Sequence, residues 1–322
     1  MKMKQISLYL CCLVMLFVGC KPSHANKATP STSVQALSVK GTALVNPQGD
    51  TVVLRGVSYG WHNWWPRFYN ASTVAYFADP WHASVVRAAM GIEPDGGYLQ
   101  DSARAVNCVQ TVVDAAIDNH LYAIIDWHSH HIHLEEAKAF FRQMATRYKG
   151  VPNVIYELYN EPVDDTWEAV KAYSIELIRV IRAIDKDALI LIGSPHWDQD
   201  IHIAADSPIT GYSNLMYTLH FYAATHKQEL RDRADYALGK GLPLFVSECA
   251  GMEASGDGPI DRASWNEWVA WMNYHHLSWA AWSVSDKDET CSMLLPAAAS
   301  EGGWGDDVIK EWGKIVRSDL SR

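Results

Sequence analysis

Basic charge, phenylalanine, cysteine and long apolar runs are all scarce in this chain of 322 residues. Lys and Arg number 27 against 37 Asp and Glu, a formal net charge of -10. No segment gathers its cations into a stripe, so a nucleic-acid partner is not expected. A neutral polymer suits such a surface better than a polyanion. Of the six cysteines, Cys11, Cys12 and Cys20 precede residue 21. That leaves Cys108, Cys249 and Cys291, an odd number that argues against a disulfide scaffold, and none is expected to pair. Beyond about Leu37 there is no long linker, low-complexity tract or obvious short repeat. The glycine-rich loop of a dinucleotide fold is missing too, since RGVSYGWHNWW follows the first strand-like run.

What the chain does have is 48% hydrophobic residues, ample for one large core, with Trp 14 and Tyr 15 against Phe 7. Trp and Tyr join a broad apolar face to a polar handle. Some are expected in the core and some along a groove.

The start is basic (Met1-Lys2-Met3-Lys4), and the apolar run from Ile6 to Val18 is too short for a comfortable membrane-spanning helix. It ends in Phe17-Val18-Gly19-Cys20, which resembles a bacterial lipobox with Phe17 in place of the usual leucine. The expectation is a signal over residues 1–20, cleavage before Cys20 and lipid attachment to it. An ordinary secretory signal is the alternative. Residues 21–36 open with KPSHANKATPSTS and read as a polar tether. Residues 37–322 then form one exported domain. Its only expected membrane contact is the lipid anchor, at the cell surface or in the periplasm, and a monomer is the default.

In that domain short β-like runs alternate with amphipathic stretches, the pattern of an α/β protein with a parallel sheet. After a hairpin in LSVKGTALVNPQGDTVVL, strands are predicted over 52–57, 84–90, 121–126, 153–158, 188–192, 215–219, 243–246 and 278–282. Helices are predicted over 103–117, 135–148, 167–184, 227–239, 264–275 and 306–316. Eight strands separated by helices predict a (β/α)8 TIM barrel. A doubly wound open sheet is the alternative.

Polar or aromatic residues recur at or near the strand ends: Trp64, Arg87, His128, Asn160, Glu161, Trp197, His220, Tyr222, Glu248 and Trp282. In a parallel barrel catalytic groups collect there. Glu161 follows the run VIYELYN and Glu248 ends LPLFVSE. Two carboxyls from two strands, aimed at one cleft, are the minimum equipment for hydrolysing a glycosidic bond. Trp and Tyr faces suit the same substrate, because pyranose C–H faces stack on them.

The blocks VVRAAM, AIIDWH, EEAKAFF, PNVIYELYNEP, WDQDIHIAAD, LHFYAATH, LRDRADYAL, LFVSE and LSWAAWSVSDKDE occur in that order. Together they resemble glycoside hydrolase family 5, and within it the bacterial subfamily 2 endoglucanases, over nearly the whole chain from about Leu37. The resemblance implies a barrel, a retaining mechanism and no cofactor. It implies an endo-β-1,4-glucanase acting on cellulose or a related β-glucan. Position by position, it makes Glu161 the general acid/base and Glu248 the nucleophile, with ionised Glu248 raising the pKa of Glu161. Arg87 and Tyr222 match residues that bond the nucleophile, and Asn160 one that contacts the sugar 2-hydroxyl. His128 and His220 match cleft histidines, and Trp282 the platform under the reacting sugar. Lys287 and Glu289 match contacts to a glucose nearer the non-reducing end. Trp64 and Trp197 match aromatics on outer rings. His62, in SYGWH where relatives carry SHG, supplies a displaced imidazole or none. Cys249 stands where many relatives have tryptophan and is read as a small packed residue.

Glu157 and Asp126 are expected to be structural carboxylates, Glu157 paired with a cation inside the barrel. The strongest competing pattern is His128, His130, His131 and His133 in DWHSHHIH, since clustered histidines at a strand end can bind zinc. His196, His220 and Asp286 could imitate the further ligands of a metal-dependent hydrolase. The resemblance accounts for His128 and His220 without metal, so none is expected, and the extra histidines read as a polar loop at the groove edge. A glycan-binding protein without catalysis would be marked by a substitution at one of the glutamates. Mixed-linkage β-glucan, xyloglucan and mannan are the alternative substrates.

Overall fold

The computed structural model describes residues 34–322. The expected signal, Cys20 and most of the expected tether lie outside the described residues. The end of that tether is already seated at the barrel base, where the Gln35 carbonyl accepts from the Tyr122 hydroxyl at 2.6 Å. A short antiparallel hairpin follows, β1 (Ser38–Lys40) and β2 (Ala43–Val45). Its turn runs through Gly41 at φ 62, a conformation that glycine adopts without strain.

Eight parallel strands then close in chain order: β3 (Arg55–Tyr59), β4 (Val85–Gly91), β5 (Tyr122–His128), β6 (Val154–Glu157), β7 (Leu189–Ile192), β8 (Leu215–Tyr222), β9 (Leu244–Ala250) and β10 (Trp279–Val284). Strand β10 pairs back onto β3, so the barrel sheet has no open edge. The helices are α1 (Ala71–Ala78), α2 (Ser102–Asp118), α3 (Leu134–Arg147), α4 (Trp167–Arg182), α5 (Pro195–Asp198), α6 (Ile201–Asp206), α7 (Gln228–Gly239), α8 (Arg262–Tyr274) and α9 (Glu311–Leu320). The fold is the (β/α)8 TIM barrel.

Departures from the predicted boundaries have local causes. The first barrel strand starts at Arg55 rather than residue 52, because the Val52 N–H bonds the Leu44 carbonyl of the hairpin. Helix α1 has only eight residues, too few to show a period, and is set by Asn70, whose side chain accepts from Thr73 N–H. Helices α5 and α6 are short and interrupted by a left-handed run, His196, Trp197 and Asp198 at φ 52, 54 and 60. The last helix starts at Glu311, not 306. The residues before it are used otherwise: Ile309 bridges Leu294, and the Lys310 ammonium bonds the Lys287 and Glu289 carbonyls.

Inside the barrel the period of two sorts residues into layers. Val85, Ile124, Ile155, Met216 and Phe245 form an apolar plug with Leu37, Leu44 and Leu54 from the N-terminal segment. The hairpin thus covers the bottom. Two residues further along the same strands stand Arg87, Asp126, Glu157, Thr218 and Ser247, all fully buried. An oily floor therefore carries a dry polar layer directly beneath the mouth.

Strand β9 breaks the alternation. Against β8, Thr218 pairs with Phe245 but His220 pairs with Glu248. Against β10, Trp279 pairs with Val246 but Ala281 with Cys249. Each pair of intervals gives two residues on the neighbour and three on β9, so β9 carries one extra residue, a bulge. Ser247 faces the interior, and the bulge lets Glu248 face it as well.

Candidate active site

Arg87 organises the mouth. Its Nε–H donates to Glu157 Oε2 at 2.8 Å, and Nη1 donates to Ser58 Oγ at 3.2 Å and Glu248 Oε2 at 3.0 Å. Nη2 serves Asn160 Oδ1 at 2.6 Å, Glu157 Oε1 at 3.2 Å and Asp126 Oδ2 at 3.0 Å. One permanent cation thus faces three carboxyls in a fully buried site. Burial alone would push Glu157 up, but Arg87 and His220 outweigh it and hold Glu157 down at about 2. The expected cation partner of Glu157 is therefore Arg87. Because Arg87 is donor-only, it fixes the Asn160 amide with its oxygen inward. The Asn160 Nδ2 is buried without a protein partner, a donor left for a ligand.

Glu248 is held at both oxygens, Oε2 by Arg87 and Oε1 by the Tyr222 hydroxyl at 2.8 Å. Glu161 faces it across the mouth: Glu161, His220 and Glu248 offer atoms within 4.8 Å of one another. Glu161 Oε1 lies 2.9 Å from His220 Nδ1, and Oε2 lies 3.3 Å from His130 Nε2.

The hydrogen-bond inventory places the protons. Ser247 donates its one proton to Glu157 at 2.7 Å, so it must accept from His220 Nε2–H at 2.9 Å. His220 Nδ1 is then the atom that shares a proton with Glu161. Burial would lower the His220 pKa, but Asp198, Glu157, Glu161 and Glu248 outweigh it and raise it well above its usual value. Burial raises Glu161, and the bonds from His130 and His220 act against it and lower it. Glu248 is pushed up, by burial and then by the charge of Glu161. The two imidazoles thus oppose the rise that burial and the charge of Glu248 give Glu161, and the 2.9 Å bond shares one proton between Glu161 and His220.

His128 is buried, and desolvation followed by the charge of Arg87 drives its pKa well down. The neutral ring donates Nδ1–H to Asp126 at 2.6 Å and stacks on Trp282 at 5.3 Å and 3°. On that side the cleft is lined by Trp61, Trp64, Trp282, Lys287 and Glu289, the last two paired with each other. On the other side of Glu161 and Tyr222 it is lined by Trp197, Gln199 and His226. Trp64 is 51% exposed and Trp197 44%, open platforms at opposite ends of one groove.

Of the residues singled out in the sequence, Arg87, His128, Asn160, Glu161, His220, Tyr222, Glu248 and Trp282 meet in one mouth, with Trp64, Trp197, Lys287 and Glu289 along the groove. His62 does not join them. It is fully buried, and its Nδ1 accepts from Gly91 N–H at 3.0 Å. Its ring packs near Tyr69, with centroids 6.4 Å apart, and does not line the groove. Among the described residues Cys108, Cys249 and Cys291 are unpaired and buried. Sequence reasoning gave no role to Ser247, Asp198 or Trp61, and read His130 only as a candidate zinc ligand or a polar loop residue. Asp198 is buried 3.4 Å from His220 and accepts from Ser194 N–H at 2.6 Å. Of the residues considered as metal ligands, His128, His130 and His220 stay at the mouth, whereas His133 faces Glu93, His196 pairs with Asp200, and Asp286 with Arg67. Glu161, His220 and Glu248 could share an ion, but it would sit beside the Arg87 cation and compete with it for Glu248.

A barrel whose mouth presents two opposed carboxyls, a buried arginine beneath them and aromatic platforms on both sides defines a glycoside hydrolase. Comparison with known proteins makes the class specific. Residues 45–288 match the family described as Cellulase (glycosyl hydrolase family 5), and the chain belongs to that family. It is 41% identical over 318 residues to Endoglucanase Z of Dickeya dadantii, covering 97% of this chain and 71% of that one. A solved structure from Cytophaga hutchinsonii superposes with a TM-score of 0.87 at 44% identity, covering 88% of this chain and 94% of that one. A variant of the Thermobifida fusca endoglucanase Cel5A catalytic domain, solved with cellotetraose, superposes with a TM-score of 0.84 at 30% identity. There the match covers 89% of this chain and 97% of that chain.

The Arg87 cluster makes a stability prediction. Arg87→Met removes the cation and leaves its carboxyls buried, which costs about 3–5 kcal/mol at neutral pH. Glu157 is depressed from 4.5 to about 2 in the folded protein. That contribution is present above the unfolded pKa and is lost as pH falls through the folded one. The stability gap between wild type and Arg87→Met, read by denaturant unfolding, therefore narrows from about pH 4.5 down to about 2. A gap independent of pH would show that the carboxyls do not depend on Arg87.

Proposed function

We propose that this protein is an endo-β-1,4-glucanase that cleaves cellulose or a related β-glucan with retention of anomeric configuration. The observation that carries it is the carboxyl pair within 4.8 Å, in a groove with platforms on both sides. Retaining enzymes hold the two carboxyls about 5 Å apart, whereas inverting enzymes need room for a water between them. A groove running past the pair in both directions accepts the interior of a chain.

Glu248, kept in place by Arg87 and Tyr222, attacks the anomeric carbon. Glu161 protonates the leaving oxygen with the proton that it shares with His220 Nδ1. Forming the glycosyl ester neutralises Glu248, and Glu161 then accepts a proton from the incoming water. The free Asn160 amide N–H is placed to donate to the 2-hydroxyl, a bond that strengthens in the transition state. Trp282 stacks under the reacting sugar, Lys287 and Glu289 meet the next ring, and Trp64 and Trp197 hold outer rings. The names of the relatives and the cellotetraose complex of one of them support the glucan assignment. Export, lipid attachment at Cys20 and a monomeric state belong to the same reading, the first two resting on the N-terminal sequence.

Reducing-sugar release from carboxymethylcellulose, mixed-linkage β-glucan and mannan tests the reaction. Wild type cleaves the glucans, the first product seen by NMR is the β-anomer, and Glu248→Gln lowers the rate roughly 10⁴-fold or more. Cleavage of mannan alone would overturn the substrate, and an active Glu248→Gln would overturn the nucleophile. Glu161→Ala slows phenyl cellobioside by roughly 10²–10⁴-fold but spares glycosylation by the dinitrophenyl analogue, which needs no proton. Equal losses would remove the acid role. Cys20→Ser abolishes incorporation of labelled fatty acid into the expressed chain; a wild type that incorporates none would end the anchor reading.

A further inference from the structure

We propose that His130 is a positioning residue for the acid, a second and solvent-facing imidazole that controls how tightly Glu161 holds its proton. The proposal rests on the reading of Glu161 as the acid.

The two oxygens of Glu161 face two different rings. Oε1 meets His220 Nδ1 at 2.9 Å and Oε2 meets His130 Nε2 at 3.3 Å. His220 is sealed in the barrel, its side chain 2% exposed and its tautomer set by Ser247. The His130 side chain is 33% exposed and tilts against Trp61, ring centroids 5.6 Å apart at 47°. It therefore exchanges protons with solvent and adjusts to whatever occupies the groove.

The aim of this ring is built, not incidental. His130 and His131 both donate backbone N–H to Glu93 Oε1, at 3.1 and 3.2 Å. His133 Nε2 approaches the same oxygen to 3.3 Å. Glu93 lies in GIEPDGGY, the segment after β4, so the loops after β4 and β5 are cross-linked through one carboxylate. That link folds the tip of DWHSHHIH so that His130 points at Glu161.

The groups facing His130 are Glu161 after β6, Glu93 after β4, Glu248 on β9 and His128 on β5, whose ring centroid is 6.4 Å away. Burial alone would lower the His130 pKa, but the bond and charge of Glu161, then Glu93 and Glu248, outweigh it and raise it. An N–H at Oε2, which the charged ring always presents and the neutral ring presents as its Nε2–H tautomer, stabilises ionised Glu161. The acid therefore loses its proton at lower pH than it would without His130. In kcat/KM, which reports the free enzyme, the basic limb follows this loss.

The experiment measures kcat/KM against pH for the full chain, His130→Leu and His130→Gln, each on phenyl and dinitrophenyl cellobioside. With the phenyl substrate, His130→Leu moves the basic limb upward by about 0.5–1 pH unit. His130→Gln keeps an N–H donor and moves it by less than half as much. The dinitrophenyl substrate, which needs no protonation, shows no matching shift. His130→Asn, too short to reach Oε2, replaces the Leu variant if that variant fails to fold. A phenyl-substrate limb that stays put or moves down overturns the proposal, as does an equal shift with both substrates. If Glu161→Ala still discriminates between leaving groups, only the role of His130 falls. If Glu161→Ala does not discriminate, the acid reading itself has failed.

Discussion

The guanidinium of Arg87 is the constraint on which the mouth of this barrel depends. It cannot shed its charge, and it is fully buried, so its N–H groups look for acceptors in the polar layer. Those acceptors are the site. Glu248 and Asn160 bond it directly. Glu157 passes the constraint on through Ser247 to His220, and His220 passes it to Glu161. Buried ion clusters are weak evidence for stability, because desolvation can exceed the attraction between the charges. Here the cluster's contribution is positional: it fixes the rotamers and hydrogen-bonding roles of groups on β4, β6, β8 and β9.

Strand periodicity alone would not deliver both catalytic carboxyls. In a regular β9, Ser247 facing inward would leave Glu248 facing the helices. The extra residue in β9 resolves that conflict, giving the network its serine and the cleft its nucleophile from adjacent positions. Strand β10 shows a related irregularity just after Trp282, where Val284 rather than Ser283 pairs with Tyr59. Both breaks lie at the rim where the substrate groove runs, a common place for bulges.

Much of this was legible in the sequence. Eight apolar runs with polar ends gave the barrel, and most predicted bounds differ from the observed ones by a few residues. The glutamates and the residues that bond Glu248 could be named from blocks such as YNEP and LFVSE. What could not be read depends on contacts between distant segments. The place of His62 follows from the course of an altered loop. The environment of Glu161 follows from a histidine on β8 and one in the loop after β5 converging on one carboxyl. His130 looked like one polar residue among several in a loop, because its aim is set by Glu93, some 40 positions earlier. Short elements such as α1, α5 and α6 are too brief for periodicity to register, and the left-handed turn at 196–198 carries no glycine to announce it.

The hairpin that seals the barrel floor also settles how the molecule can be attached to anything. The described chain enters at the pole opposite the groove, where Gln35 meets Tyr122 and Leu37 joins the apolar plug. A lipid, a fused module or a solid support joined upstream of that point meets the described chain on the side of the closed end. Immobilisation through the amino terminus should therefore leave the groove free to receive long polymers, while cross-linking through the loops after β4 or β5 would crowd it.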